Sequence, residues 1–323
     1  MRLHHMVRLL AAMALVCAQP VLAQAPWPGK PVTLVVGTPA GGSIDAYARA
    51  LADQLTRQTG GTFLVDNRSG ASGNLSAEHV LKAPADGHTL WITTQAMFTI
   101  NPSAYPALRW KQSDFKPIAK GIESPLVLVV HPSVKASTAK EFVDLARASP
   151  GVLNYGSAGL GSPQQLHSEF FNQLAGLKTN HIPYKGQSQA MTDLVSGQLN
   201  YMFSPLQNAL PYIQQGRIRA LAVATLKRHP TLPQVPTLSE LGYGDVDLSN
   251  WFAVFAPAGT PPAVVRKLNA AFVKVGTTPE MKAKFNQLGF DAFFTNPEEG
   301  TDFMRSELVR WARVAAYAGI KAE

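Results

Sequence analysis

Short apolar runs rich in β-branched residues alternate with stretches of helical periodicity along nearly all of this chain. Val32-Thr33-Leu34-Val35-Val36 reads as a buried strand, and Ile44, Tyr47, Ala48, Leu51 and Leu55 then share one helix face at i, i+3, i+4, i+7 and i+11. The alternation continues with strand 63–65, a glycine-rich loop at 67–73, a helix over about 74–83 and strand 89–93. From Pro117 it restarts, with strands predicted at 126–130, 153–155, 181–182, 200–203 and 219–224 and helices at 138–148, 163–175, 187–196 and 206–215. Repeated strand–helix–strand units predict parallel sheets flanked by helices. After the proline-rich connector Pro230–Pro236 and strand 251–255, three helices close the chain. Thr260-Pro261, Thr278-Pro279 and Asn296-Pro297 each read as an N-cap followed by proline, with Gly289 and Gly319 as stops. Two α/β domains of similar size, meeting at a cleft, fit this pattern better than one long sheet, with the last helices returning to the first domain.

The N-terminus reads differently. Arg2 and Arg8 precede the apolar stretch Leu9–Ala18, and Val21-Leu22-Ala23 is a small-residue cleavage site, so residues 1–23 read as a cleavable export signal. Its removal near Ala23 leaves 300 of the 323 residues and lowers the formal charge from +8 to +6. The single cysteine, Cys17, leaves with it, which excludes a disulfide framework, a thiolate metal site and a cysteine nucleophile. The apolar stretch falls short of the roughly 20 residues that span a bilayer. The predicted product is an exported, two-domain globular protein of the periplasm.

Two loops at strand-to-helix junctions carry the chemistry. The first runs Gly37-Thr38-Pro39-Ala40-Gly41-Gly42-Ser43-Ile44-Asp45. Its glycines let backbone N–H groups approach a ligand, and the helix start behind them favours negative charge. It lacks both the Gly-Lys-Ser/Thr of a P-loop and the dinucleotide glycine spacing, and by itself it could equally be a tight turn. The second loop, Tyr155–Pro163, leads into Ser162-Pro163-Gln164-Gln165, which reads as a capping box with proline at the first helical position. Two such ends facing across a cleft would grip a small carboxylate with amides from both domains, and bridging of that kind favours the closed form. Asp45 has two readings: it offsets the helix dipole and caps loop amides, or it binds a ligand ammonium group. Lys185, in Tyr184-Lys185-Gly186, reads as a solvated charge, and Trp91, Trp251 and Trp311 read as packing residues.

No catalytic constellation emerges. There is no Gly-x-Ser-x-Gly elbow, none of the six histidines after residue 23 pairs at metal-ligand spacing, and the basic residues form no stripe for nucleic acid. A hydrolase using Ser157 or Ser162 has no base placed by sequence. No cofactor, metal or nucleic-acid partner is expected, and the protein is read as a monomer and not an enzyme.

Taken in order, a further set of segments carries a resemblance. Trp27-Pro28-Gly29-Lys30-Pro31, Pro39-Ala40-Gly41-Gly42 with Asp45, and Asp66-Asn67-Arg68-Ser69-Gly70-Ala71-Ser72-Gly73-Asn74 come first. Ala85-Asp86-Gly87-His88, the Tyr155–Pro163 loop, Ile182-Pro183-Tyr184-Lys185-Gly186 and Phe255-Ala256-Pro257-Ala258-Gly259-Thr260-Pro261 follow. With these the chain resembles the extracytoplasmic solute-binding proteins of the tripartite tricarboxylate transporters, the Bug family. The resemblance implies a two-lobed, type II Venus-flytrap binding fold. Residues 24–125 plus 248–323 would form domain 1 and residues 126–247 domain 2, with hinge strands between them. It implies capture of a small organic carboxylate (a dicarboxylate, acidic amino acid or aromatic acid) and delivery to membrane permease subunits. A sensor handing its liganded form to a kinase is the alternative. Carried over by position, Ala40, Gly41, Ser157, Gly161 and Ser162 would hold the proximal carboxylate, with Thr38, Gly42 and Asp45 in the same first loop. Thr94, Gln95, Tyr184 and Ser204 would shape the far end. Gly37-Thr38 stands where many members have Pro-Phe, and Ser204 where the site is often acidic.

Overall fold

A computed structural model describes residues 28–105, 107–159, 162–244 and 247–317; the predicted signal segment, Gly161 and Gly319 lie outside them. In chain order the strands and helices are β1 (Val32–Val36), α1 (Ser43–Thr59), β2 (Phe63–Asn67), α2 (Asn74–Leu81), β3 (Thr89–Thr94), α3 (Gln95–Thr99), α4 (Asn101–Ala104) and β4 (Phe115–Ser124). The chain continues through β5 (Leu126–Val130), α5 (Ala139–Ala148), β6 (Asn154–Ser157), α6 (Pro163–Ala175), β7 (Asn180–Pro183), α7 (Gln187–Ser196), β8 (Tyr201–Pro205), α8 (Leu206–Gln214) and β9 (Arg219–Val223). It closes with β10 (Asn250–Pro257), α9 (Pro262–Gly276), α10 (Pro279–Gln287), β11 (Asp291–Ala292) and α11 (Pro297–Tyr317).

These elements form two lobes, each a helix-flanked sheet. The first sheet has strand order β11-β4-β10-β3-β1-β2 and the second β7-β6-β8-β5-β9. Each has an apolar core on both faces. Around the first, Leu34, Leu51, Leu90 and Phe272 pack on one side and Trp91, Phe98, Trp110 and Phe255 on the other. The second buries Phe142, Tyr155 and Phe203 on one face and Val127, Met202 and Val223 on the other.

The parallel sheets expected from the strand–helix–strand units are mixed, each holding a parallel set and antiparallel members. Strands β1, β2 and β3 are parallel, as are β6, β7 and β8, but β10 runs antiparallel to β3 and β4, and β5 runs antiparallel to β8 and β9. The antiparallel members lie where the chain changes lobe. β4 passes into β5 through Pro125 alone, and β10 brings the chain back beside β4, with Asn250 opposite Ser124. Sequence reading missed β4 because Lys116, Pro117, Lys120, Gly121 and Glu123 break its apolar pattern. Lys120 is nonetheless buried, ion-paired to Glu123 with its ammonium over the Phe293 and Phe303 rings at 3.8 and 4.3 Å. The helix predicted to start at Pro261 begins one residue later, at Pro262, whereas Thr278 and Asn296 do cap their helices, accepting from the N–H groups of Met281 and Glu299.

The C-terminal helix α11 ties the lobes together. Its Glu307 accepts hydrogen bonds from the indole N–H groups of Trp251 (2.6 Å) and Trp311 (2.9 Å). Trp311 reaches α6 of the second lobe, edge-on to the His167 ring at a centroid distance of 5.1 Å. Among the described residues no helix is long and apolar enough to cross a membrane.

Candidate functional site

The loop after β1 and the start of α6 face one another across the gap between the lobes. Between them lies a cavity of about 520 Å³, within the roughly 300–1,000 Å³ of small-molecule sites. The first lobe supplies Thr38, Pro39, Ala40, Gly42, Ser43, Ile44, Thr94, Ala96, Asn250, Phe252, Leu288 and Phe290; the second supplies Pro163, Gln164, Gln187, Pro205, Gln207 and Asn208; Ser124 stands at the junction. None of these residues carries a charge.

The first loop is held by a small polar network. Helix α1 has no side-chain N-cap; Gly42 occupies that position. Asp45, on the first turn, replaces the missing cap: its Oδ2 accepts from the Gly41 N–H at 2.9 Å and from Arg49 Nε at 2.9 Å. Asn67 at the end of β2 completes the brace, donating from Nδ2 to Asp45 Oδ1 at 3.0 Å and to the Thr38 carbonyl at 3.1 Å. Burial pulls the Asp45 carboxyl up, but hydrogen bonds from Arg49, Gly41 and Asn67 outweigh it and hold the group below its ordinary value. Gly41 sits at φ +90°, a region open to glycine at little cost. The brace leaves Ala40, Gly41, Gly42 and Ser43 exposed to the cleft at a helix start, where N–H groups and the dipole attract an anion.

The second loop is organised around Ser157. This serine is fully buried; its Oγ accepts from the Gly159 N–H at 3.1 Å, donates to the Gly159 carbonyl at 3.0 Å and lies 2.6 Å from His181 Nε2. Sequence reading found no base for this serine, and the fold supplies His181, whose ring stacks on Tyr155 at 4.9 Å. Ser157 is not among the residues lining the cavity, and its bonds to Gly159 and His181 prop the loop. Ser162 caps α6, accepting from the Gln165 N–H at 3.4 Å.

Of the residues singled out from sequence, Thr38, Ala40, Gly42 and Thr94 line the cavity. Gly41, Asp45, Ser157 and Ser162 are not among the lining residues, Gly41 standing exposed between Ala40 and Gly42 while Asp45 and Ser157 are buried, and Gly161 is outside the described residues. Gln95 is buried against Thr99, with its Nε2 2.6 Å from Thr99 Oγ1. The Tyr184 hydroxyl is turned onto α7, donating to Asp193 at 2.7 Å. Ser204 is buried beneath Gln187, whose Nε2 donates to its Oγ at 3.1 Å. The fold instead brings in Gln164, Gln187, Gln207, Asn250, Phe252 and Phe290, which sequence reasoning missed. No local motif marks them, because amides and phenylalanines scattered over four elements and a loop meet only when the lobes face each other. Asn67 is a different case, since it stood inside a quoted motif and its bracing role needed only the neighbouring strand. Among the described residues no group of three or more His, Cys, Asp or Glu could hold a metal ion.

Two α/β lobes around an uncharged, amide-lined cleft define a solute-binding protein. The family described as the tripartite tricarboxylate transporter family receptor matches residues 47–320, and the chain belongs to it. BugT of Bordetella pertussis is 33% identical over 324 residues, covering 98% of this chain and 99% of its own. Among solved structures, Rpa4515 of R. palustris with adipate is 34% identical with a TM-score of 0.74, over 91% of this chain and 98% of that one. MatC of Rhodopseudomonas palustris with bound malate is 29% identical with a TM-score of 0.70, over 89% and 99%.

Proposed function

We propose that this protein works in the periplasm, where it captures a small organic carboxylate between its lobes and delivers it to the membrane permease subunits of a tripartite tricarboxylate transporter. The observation that carries the reading is an uncharged cavity lined by two helix starts, Gly42-Ser43 from one lobe and Pro163-Gln164 from the other. Backbone N–H groups at such starts are donors left without helical partners, and a carboxylate supplies the acceptors they lack. A ligand that touches both lobes stabilises the closed form by its differential affinity for it. Adipate and malate in the related structures support a carboxylate, and the family supports a receptor over an enzyme. The two domains are taken as residues 24–125 with 248–323 and residues 126–247, the chain crossing at Pro125 and again before β10.

Titration calorimetry over a panel of mono- and dicarboxylates tests the reading, with Gly41→Asp as the discriminating variant. The new carboxylate would sit beside the amides that must approach the ligand, so heat of binding should vanish while the melting curve stays cooperative. Unchanged affinity in Gly41→Asp would remove this loop from the site.

A further inference from the structure

A second gap lies between the lobes. Beside the cavity already described is a smaller one of about 340 Å³, and Gln207 and Phe290 belong to the walls of both. Here two polar side chains from opposite lobes meet. His229, in the loop after β9 of the second lobe, places its Nε2 3.0 Å from Oδ2 of Asp291, on β11 of the first. A second bond fixes the direction of this one. The Thr231 N–H donates to His229 Nδ1 at 3.2 Å, and a backbone N–H can only donate. Nδ1 is therefore the bare ring nitrogen, and Nε2 carries the proton that it donates to the Asp291 carboxylate.

Both ends of the contact are firmly mounted. On the second lobe, Arg228 Nε donates to both carboxylate oxygens of Glu240 at 3.0 and 2.9 Å, and its Nη1 donates to the Pro233 carbonyl at 3.1 Å. Leu232 and Val235 of the same segment are buried in that lobe's core. On the first lobe, Asp291 stands opposite Glu123 of β4 and directly follows Phe290, whose ring meets that of Phe252 at 5.1 Å. A bond between two fixed mounts loses little conformational freedom on forming, and it is made only while the lobes keep this relation. In this relation the starts of α1 and α6 line one cavity. Neither His229 nor Asp291 lines it, so any influence they have on a ligand runs through the placement of the lobes.

Resting on the carboxylate-receptor reading above, we propose that His229 and Asp291 are positioning residues, a strut between the lobes that holds the cleft in its ligand-ready form. The Pro230–Pro236 connector is the arm that carries it. Apparent affinity falls with the fraction of molecules in the competent arrangement, so loss of the strut weakens binding without removing a ligand contact.

The variant His229→Phe keeps a ring and removes the donor. Small-angle scattering on the ligand-free protein and calorimetry with malate and adipate test the strut. His229→Phe should have the larger ligand-free radius of gyration, and its affinity for whichever probe binds should fall about threefold to tenfold, the range of one lost hydrogen bond. His229→Gln, which returns an N–H donor near the Nε2 position, should recover both readouts; a merely structural role would show in the melting temperature alone. Asp291→Ala should reproduce the loss, and the double variant should lose no more than either single one. An unchanged radius, an unchanged or tightened affinity, or additive losses in the double variant overturns the strut and leaves the carboxylate-receptor reading standing. Failure of both probes to bind wild type counts against that reading, and the ligand-free radii then decide the strut by themselves. Should His229→Phe not fold, Asp291→Ala carries the same comparison.

Discussion

At the scale of single residues, the Asp45 carboxylate is used to shape the backbone beside the cleft. Asp45 is buried, and its two oxygens hold Gly41, Arg49 and Asn67 in one arrangement. Asp45→Asn keeps the size but replaces one acceptor oxygen with a donor facing the Gly41 N–H or the Asn67 amide. We expect weaker carboxylate binding by about tenfold, consistent with the roughly 0.5–2 kcal/mol attached to loss of a helix-start cap, measured by calorimetry against wild type. Because the folded carboxyl titrates below its ordinary value, its contribution to stability is complete above the unfolded value near 3.9 and is lost as pH falls through the folded one. Both roles offered for Asp45 by the sequence were chemically reasonable. Only the addition of Asn67 on β2, 22 residues away, to Gly41 and Arg49 shows which demands the carboxylate already meets.

Among the elements, α6 and α8 do the most to connect ligand site and hinge. One turn past the start of α6, His167 is fully buried against Trp311 of the first lobe, neither ring nitrogen has a hydrogen-bond partner, and burial pushes its pKa down to about 3. A histidine whose folded pKa lies below its unfolded value near 6.5 stabilises the fold above that pH. The contribution is lost as pH falls from 6.5 towards 3, at up to about 1.4 kcal/mol per pH unit. Thermal melts between neutral pH and the acid end of this window should show the loss, and His167→Phe should flatten the profile if the substituted ring is accommodated. On α8, Gln207 accepts from Ser124 Oγ at 3.1 Å and packs on Gly289 of the first lobe, where φ is +83° and an added Cβ would run into the Gln207 side chain. Gly289→Ala should therefore lower the melting temperature and weaken ligand binding together, because it strains the backbone and displaces a cavity wall. A variant that melts lower yet binds normally would dissociate the two.

For the whole molecule, function follows from the relation of two lobes that could each be read in isolation. The cavity takes residues from both, and α11 carries Trp311 from one core into contact with the other. A ligand bridging the lobes should raise stability in step with its concentration, by about 2.7 kcal/mol at one hundred times its Kd. It should also reduce the radius of gyration measured by small-angle scattering. A ligand that raises the melting temperature with no compaction would bind one lobe only.

Local sequence was enough to place most of the architecture. Helices α6 and α7 have the predicted bounds, because helical periodicity and a glycine stop act within a few residues of one another, with a Ser-Pro start in α6. The two helix-start loops were visible for the same reason. Strand β4 was not, since its charges are buried only by tertiary packing, Lys120 pairing with Glu123 beneath the Phe293 and Phe303 rings. Nor were the mixed strand directions, which depend on where the chain changes lobe. The cavity walls belong wholly to tertiary structure. Phe252, Phe290, Gln164, Gln187 and Gln207 have ordinary local roles on their own elements, and only the packing of the lobes turns them towards one space. Sequence by itself therefore determined a pair of strand-to-helix loops on two α/β lobes. Folding decided what lines the space between them, because the character of a cleft is set by side chains far apart in the chain and close only across the gap.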